Sequence, residues 1–223
     1  MRQIPLAIAP EAQPDFDSYV PGANAAALSH LRSLAWPAAP IYLWGPASCG
    51  KTHLLRALAA RVVAAGQQVA WFDAAEPLPW TLSPAWSLVV VDRCEALDAA
   101  AQHAAFALFE DATTHGVQWA AAGRLPPVDL AVREDLRTRL GWGHVFALQP
   151  LAEAEMRAAL RREADRRGVL LSDEVMDYLL TRFERNLQPL MAQLERLDRF
   201  SLANKRAITV PMLKLMLAEE GAP

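Results

Sequence analysis

Up to about residue 150, hydrophobic positions fall in short blocks that alternate between two periods. Ile41–Trp44, Gln68–Asp73, Trp86–Asp92, Val117–Ala122 and His144–Leu148 are compact runs rich in β-branched and aromatic residues, and they read as strands. Between them, 53–63 and 99–115 place apolar residues three and four apart, the spacing of a helix, with Gly66 and Gly116 as stops. A shorter helix, Asp135–Leu140, is stopped by Gly141 and Gly143. Trp86–Val91 is apolar almost without a break, as a strand covered on both faces would be. Strands alternating with helices predict an α/β fold, a five-stranded parallel sheet flanked by helices.

After Pro150 the pattern changes. Glu153–Arg167, Ser172–Phe183, Leu187–Asn204 and Pro211–Glu220 all carry the helical period, with no strand signal, and predict a small all-α domain. Leu187, Leu190, Met191, Leu194 and Leu197 form one stripe, which reads as core; Pro189 is tolerated because it falls in the first turn. The chain thus divides into an N-terminal segment (1–21), an α/β domain (22–150) and a helical domain (151–223).

Candidate chemistry is concentrated where the first strand hands over to its helix. Gly45, Pro46, Ala47, Ser48, Cys49, Gly50, Lys51 and Thr52, followed by His53, fill the G-x-x-x-x-G-K-[ST] template. Backbone N–H groups and a helix N-terminus there face nucleotide phosphates, Lys51 reaches the outer phosphates, and Thr52 serves Mg²⁺. Asp92, at the end of the third strand, is placed to serve the same metal, although a carboxylate there could also be an ordinary turn residue. The next position, where many such ATPases carry an acidic residue to activate water, holds Arg93; weak intrinsic hydrolysis follows unless Glu95 substitutes as base. Arg139, in the short helix before Gly141, could reach a neighbour's phosphates or simply pair with Glu134 or Asp135. Gln3, Ile4, Pro5, Leu6, Ala7 and Ile8 form an extended, Pro-bearing peptide that could dock in a partner's groove or pack on its own domain.

Composition narrows the classes. A net charge of −3 and a pI near 6.0 argue against a whole-surface grip on nucleic acid. Two cysteines suit a reducing cytoplasm, five scattered histidines lack metal-site spacing, and no apolar run has membrane-spanning length. The N-terminus does not read as a signal peptide, so a cytoplasmic protein is expected.

Together, Phe16–Gly22, Gly45–Leu55, Val91–Asp92, Asp135–Gly143, Leu148–Leu151 and Leu194–Leu202 resemble the DnaA-related branch of the AAA+ ATPases, in particular its regulatory inactivators of the replication initiator DnaA. The resemblance spans nearly the whole chain and is most specific over 135–151. It implies an AAA+ domain with bound ADP (or ATP) and Mg²⁺, Tyr19 and Val20 beside the adenine, and a lid domain that senses the nucleotide. It further implies that Gln3–Ile8 docks on the sliding clamp of DNA polymerase III (its beta subunit) loaded on DNA, and that Arg139 is an arginine finger acting in trans on DnaA–ATP. The implied role is negative regulation of replication initiation, with no sequence-specific DNA binding of its own and no room after the lid for a helix-turn-helix domain. A homodimer or larger homo-oligomer stays open, as do an autonomous ATPase and a nucleotide-free adaptor between clamp and DnaA.

Departures from the family pattern all weaken self-sufficient hydrolysis. Ser48 replaces a phosphate-loop glycine, Gln188 stands where a lid arginine would touch phosphate, Arg93 follows Asp92, and Ala120–Arg124 offers no polar sensor residue.

Overall fold

The computed structural model describes residues 14–183, 187–204 and 206–220, so Gln3–Ile8 lies outside the described residues. The chain divides into two compact units, one running to Pro150 and the other from Leu151 onward.

In the first unit the elements run α1 (Ala25–Ser33), β1 (Ile41–Trp44), α2 (Lys51–Ala64), β2 (Gln68–Phe72), β3 (Trp86–Val91), α3 (Ala99–Thr114), β4 (Gln118–Gly123), α4 (Glu134–Leu140) and β5 (His144–Ala147). All strand pairs are parallel, in the order β2-β3-β4-β1-β5. The alternation of side chains along each strand feeds two separate cores. Tyr42, Val89, Val91, Trp119 and Ala121 face one way, onto α3 and α4. Ile41, Leu43, Leu88, Val90, Ala120 and Ala122 face the other, onto α1 and α2. Because the successive residues 88–91 of β3 are all buried, this part of the strand shows no polar alternation.

Strand and helix limits fall within about two residues of the pattern-based expectation for every element except α1, which the periodicity did not signal. Ala25–Ser33 is only nine residues long and buries just Ala27, Leu28 and Leu31, so it holds too few apolar positions to show a repeat. Long-range contacts fix this helix: the Arg61 guanidinium on α2 donates to the carbonyls of Leu31 (2.8 Å), Arg32 (2.5 Å) and Leu34, closing its C-terminal end.

The second unit holds α5 (Glu153–Arg166), α6 (Asp173–Arg182), α7 (Leu187–Asn204) and α8 (Val210–Glu220). Its own core contains Met156, Leu160, Met176, Leu179, Leu190, Leu194, Leu197 and Leu213, so the stripe read from α7 is buried. Ser172 caps α6 by accepting from the Val175 N–H. Among the described residues no helix is long and apolar enough to cross a membrane.

Candidate nucleotide-binding site

The loop Gly45–Gly50 leaves the carboxyl end of β1, between β4 and β5, and enters α2 directly at Lys51. Two glycines fit it to its surroundings. Gly45 has φ +152°, and a Cβ there would collide with the Leu148 carbonyl. Gly50 has φ +94° and lies against the Tyr19 ring, 2.6 Å from where a Cβ would meet Cε2. Ser48 adopts φ +64°, the left-handed conformation in which a non-glycine residue costs about 1–2 kcal/mol. The glycine missing from the family pattern is therefore missing where the backbone favours one. Pro46, Ala47 and Ser48 are exposed, whereas Cys49 is buried.

The Lys51 ammonium donates to the carbonyls of Gly45 and Pro46, both at 2.7 Å, and contacts Cys49 Sγ at 3.6 Å. These acceptors are neutral, so the cation retains its charge over the loop. Thr52 Oγ1 donates to Asp92 Oδ2 at 2.7 Å, joining the first turn of α2 to the end of β3. A hydroxyl and a buried carboxylate side by side are the hard oxygen donors Mg²⁺ takes, and an unneutralised ammonium beside N–H groups suits phosphate. The residues present thus fit a Mg²⁺–nucleotide: Lys51 and the loop would hold phosphates, and Thr52 and Asp92 the metal.

Two groups around Asp92 are committed elsewhere. Arg93, at φ +55°, sends its guanidinium to Asp73 Oδ2 (2.6 Å) at the end of β2. The Ala75 N–H and then this guanidinium hold the Asp73 carboxyl below the usual carboxylate range. Glu95 accepts from the Arg124 N–H at 3.1 Å and pairs with its guanidinium at 3.7 Å, which ties the carboxylate to the end of β4.

The segment before α1 lies against the back of the loop. Tyr19 is buried; its hydroxyl donates to the Cys49 carbonyl (3.3 Å) and its ring sits 5.4 Å from His53, while Val20 is half-buried. Burial pushes the Tyr19 phenol up to about 12. Asn24, 4% exposed, anchors this arrangement: its Nδ2 donates to Tyr19 Oη (3.1 Å) and to the Gln149 carbonyl (2.8 Å), and its Oδ1 accepts from the Gln149 N–H (2.8 Å). Sequence reasoning missed Asn24, because its partner lies 125 positions away and no local motif marks it.

Arg139 lies on α4 away from these groups. It pairs with Glu110 Oε1 on α3 at 2.7 Å and stacks on Trp142 at 5.6 Å, so neither Glu134 nor Asp135 is its partner. Asp135 is taken by Arg133, through Nε at 3.0 Å and Nη2 at 2.6 Å. Gln188 lies exposed in the first turn of α7, in the second unit.

A parallel five-stranded sheet in this order, with the Gly45–Thr52 loop after β1, Asp92 at the end of β3 and a following helical unit, is an AAA+-type fold. Over 96% of its length the chain superposes on all of domain III of the Thermotoga maritima replication initiation protein DnaA, with a TM-score of 0.74 and 19% identity. It matches AMPPCP-bound DnaA from Aquifex aeolicus at TM-score 0.70 and 18% identity, covering 96% of this chain and 71% of that one. The Holliday junction branch migration motor RuvB of Thermotoga maritima shares the fold at TM-score 0.59 and 16% identity, with 81% and 61% covered. Residues 153–217 match the family described as Hda, lid domain. The chain thus has the fold of these AAA+ domains, and the family match lies in its helical unit.

Proposed function

We propose that this chain is a negative regulator of chromosomal replication initiation that binds ADP or ATP with Mg²⁺, docks through Gln3–Ile8 on the DNA-loaded sliding clamp, and directs Arg139 at ATP bound to DnaA. The observation that carries the reading is the placement of charges around the two arginines. At the chain's own phosphate loop, Arg93 follows Asp92 and is drawn to Asp73, and the nearby carboxylate of Glu95 is engaged by Arg124. That site is suited to holding a nucleotide and poorly equipped to activate water. On α4, by contrast, Arg139 is about a third exposed beside the exposed Trp142 ring.

In the hydrolysis this supports, water attacks the γ-phosphorus of the partner's ATP, the bond to the β–γ bridging oxygen breaks, and ADP leaves with the electron pair. A guanidinium brought to the phosphoryl oxygens stabilises the charge that develops there, and in trans such a group is worth about 10³–10⁵ in rate. Tyr19, Asn24 and His53 brace the loop, Lys51 and the loop amides bind phosphate, and the lid carries Gln188 in place of a second cation. The chain acts more as an activator than as an enzyme.

Two variants test this. Arg139→Ala should keep the fold and clamp association but lose stimulated hydrolysis of DnaA–ATP; undiminished stimulation would refute the finger assignment. Removing residues 1–8 should abolish association with the clamp at unchanged thermal stability, and retained association would refute the docking peptide.

A further inference from the structure

Two arginines on or beside α4, Arg133 and Arg139, differ in how their guanidinium groups are used. Arg133 is consumed on all sides: Nε and Nη2 go to Asp135, and Nη1 lies 2.6 Å from His103 Nδ1. Arg139 is held differently. Its closest approach to Glu110 is through Nε, at 2.7 Å, and no described group accepts a hydrogen bond from its Nη1 or Nη2. The group lies over the Trp142 ring, 5.6 Å from its centroid. That ring is 63% exposed, yet it is anchored from the core: Phe109, fully buried, lies 6.2 Å from Trp142 and meets Trp119 edge-on at 5.1 Å. Phe109 and Glu110 are successive residues of α3, so one helix turn supplies both the anchor of the ring and the carboxylate at Nε.

We propose that Glu110 is a positioning residue for Arg139. By pairing at the Nε end while the Trp142 ring lies beneath, it restrains a side chain that is 35% exposed, leaving Nη1 and Nη2, the atoms that meet phosphate oxygens in pairs, unspent on any described group. A free arginine side chain would spend rotamer entropy to reach this pose at each encounter, whereas a held one has already lost it. The proposal rests on the reading of Arg139 as the group that acts on a partner's ATP.

The experiment follows hydrolysis of ATP-loaded DnaA under single-turnover conditions while the full chain, in the presence of clamp-loaded DNA, is titrated to saturation. Glu110→Gln keeps the shape and removes the charge. It should lower the saturating rate about tenfold while the half-saturating concentration stays within about twofold, because the encounter surface is intact and only the orientation of the group is lost. Glu110→Asp, with a carboxylate on a shorter stem, should recover part of the rate. A saturating rate for Glu110→Gln equal to or above that of the parent, with Arg139→Ala inactive in the same assay, would overturn the positioning role alone. Activity retained by Arg139→Ala would overturn the finger and this proposal together.

Discussion

Replacing Asn24 with alanine should destabilise the first unit by about 3 kcal/mol. The side chain is buried and makes three hydrogen bonds, two with the Gln149 backbone at 2.8 Å and one with the Tyr19 hydroxyl at 3.1 Å. At a net value of about 1 kcal/mol each, their loss gives about 3 kcal/mol, and water reaching the Gln149 groups would offset the penalty of leaving them unpaired. For a chain of this size, 1 kcal/mol corresponds to about 2–4 °C in Tm, so a melt followed by circular dichroism should shift down by roughly 10 °C. Tyr19→Phe is the calibrating control: it leaves the Asn24–Gln149 pair in place but removes the hydroxyl's bonds to Asn24 and to the Cys49 carbonyl, and should cost about 2 kcal/mol. A cost for Asn24→Ala of about 1 kcal/mol or less, half that of Tyr19→Phe, would show that the bonds to Gln149 contribute nothing and would refute the view that Asn24 anchors the segment behind the loop.

Lys51→Ala should weaken ADP binding by about 10–100-fold in calorimetry, since a hydrogen bond to a charged group contributes about 1.5–3 kcal/mol; unchanged affinity would place the nucleotide elsewhere. In the lid, Leu194→Ala empties a fully buried position and should cost about 2–5 kcal/mol in denaturant unfolding, whereas a cost below 1 kcal/mol would mean that the α7 stripe is not its core. Asp73 supplies a pH test. Its carboxyl in the folded protein titrates below the ordinary 3.8, so the unfolded chain takes up the proton first as pH falls. The stabilisation is complete above about pH 5 and is lost as pH drops through 3.8 to the folded value; the stability difference between parent and Asp73→Asn should shrink over that range, and a difference that grows would contradict the sign.

Much of this architecture is legible in the sequence because the signals are local. Ile41–Trp44 between Pro40 and Gly45, the unbroken apolar run of Trp86–Val91 and the stripe on α7 each need only their own neighbours to be read. The left-handed turn at Ser48 was foreseeable from the family resemblance, in which the loop carries glycine at that position. What escaped depends on contacts far apart in sequence. Asn24 bonds to Gln149, the Gln118 side chain holds Ala38 N–H at 2.8 Å, and the Arg61 guanidinium closes α1 from α2. The partner of Arg139 escaped likewise: acidic neighbours at Glu134 and Asp135 looked sufficient, but Asp135 is spent on Arg133, and Glu110 arrives from another helix.

The most direct test of the central claim is the rate of ATP hydrolysis by DnaA with this chain added, in the presence and absence of clamp loaded on DNA. Marked acceleration is expected only when the loaded clamp is present, with the isolated chain turning over far more slowly than about 1 s⁻¹. Acceleration that is absent, or hydrolysis that the chain performs alone at such a rate, would contradict it.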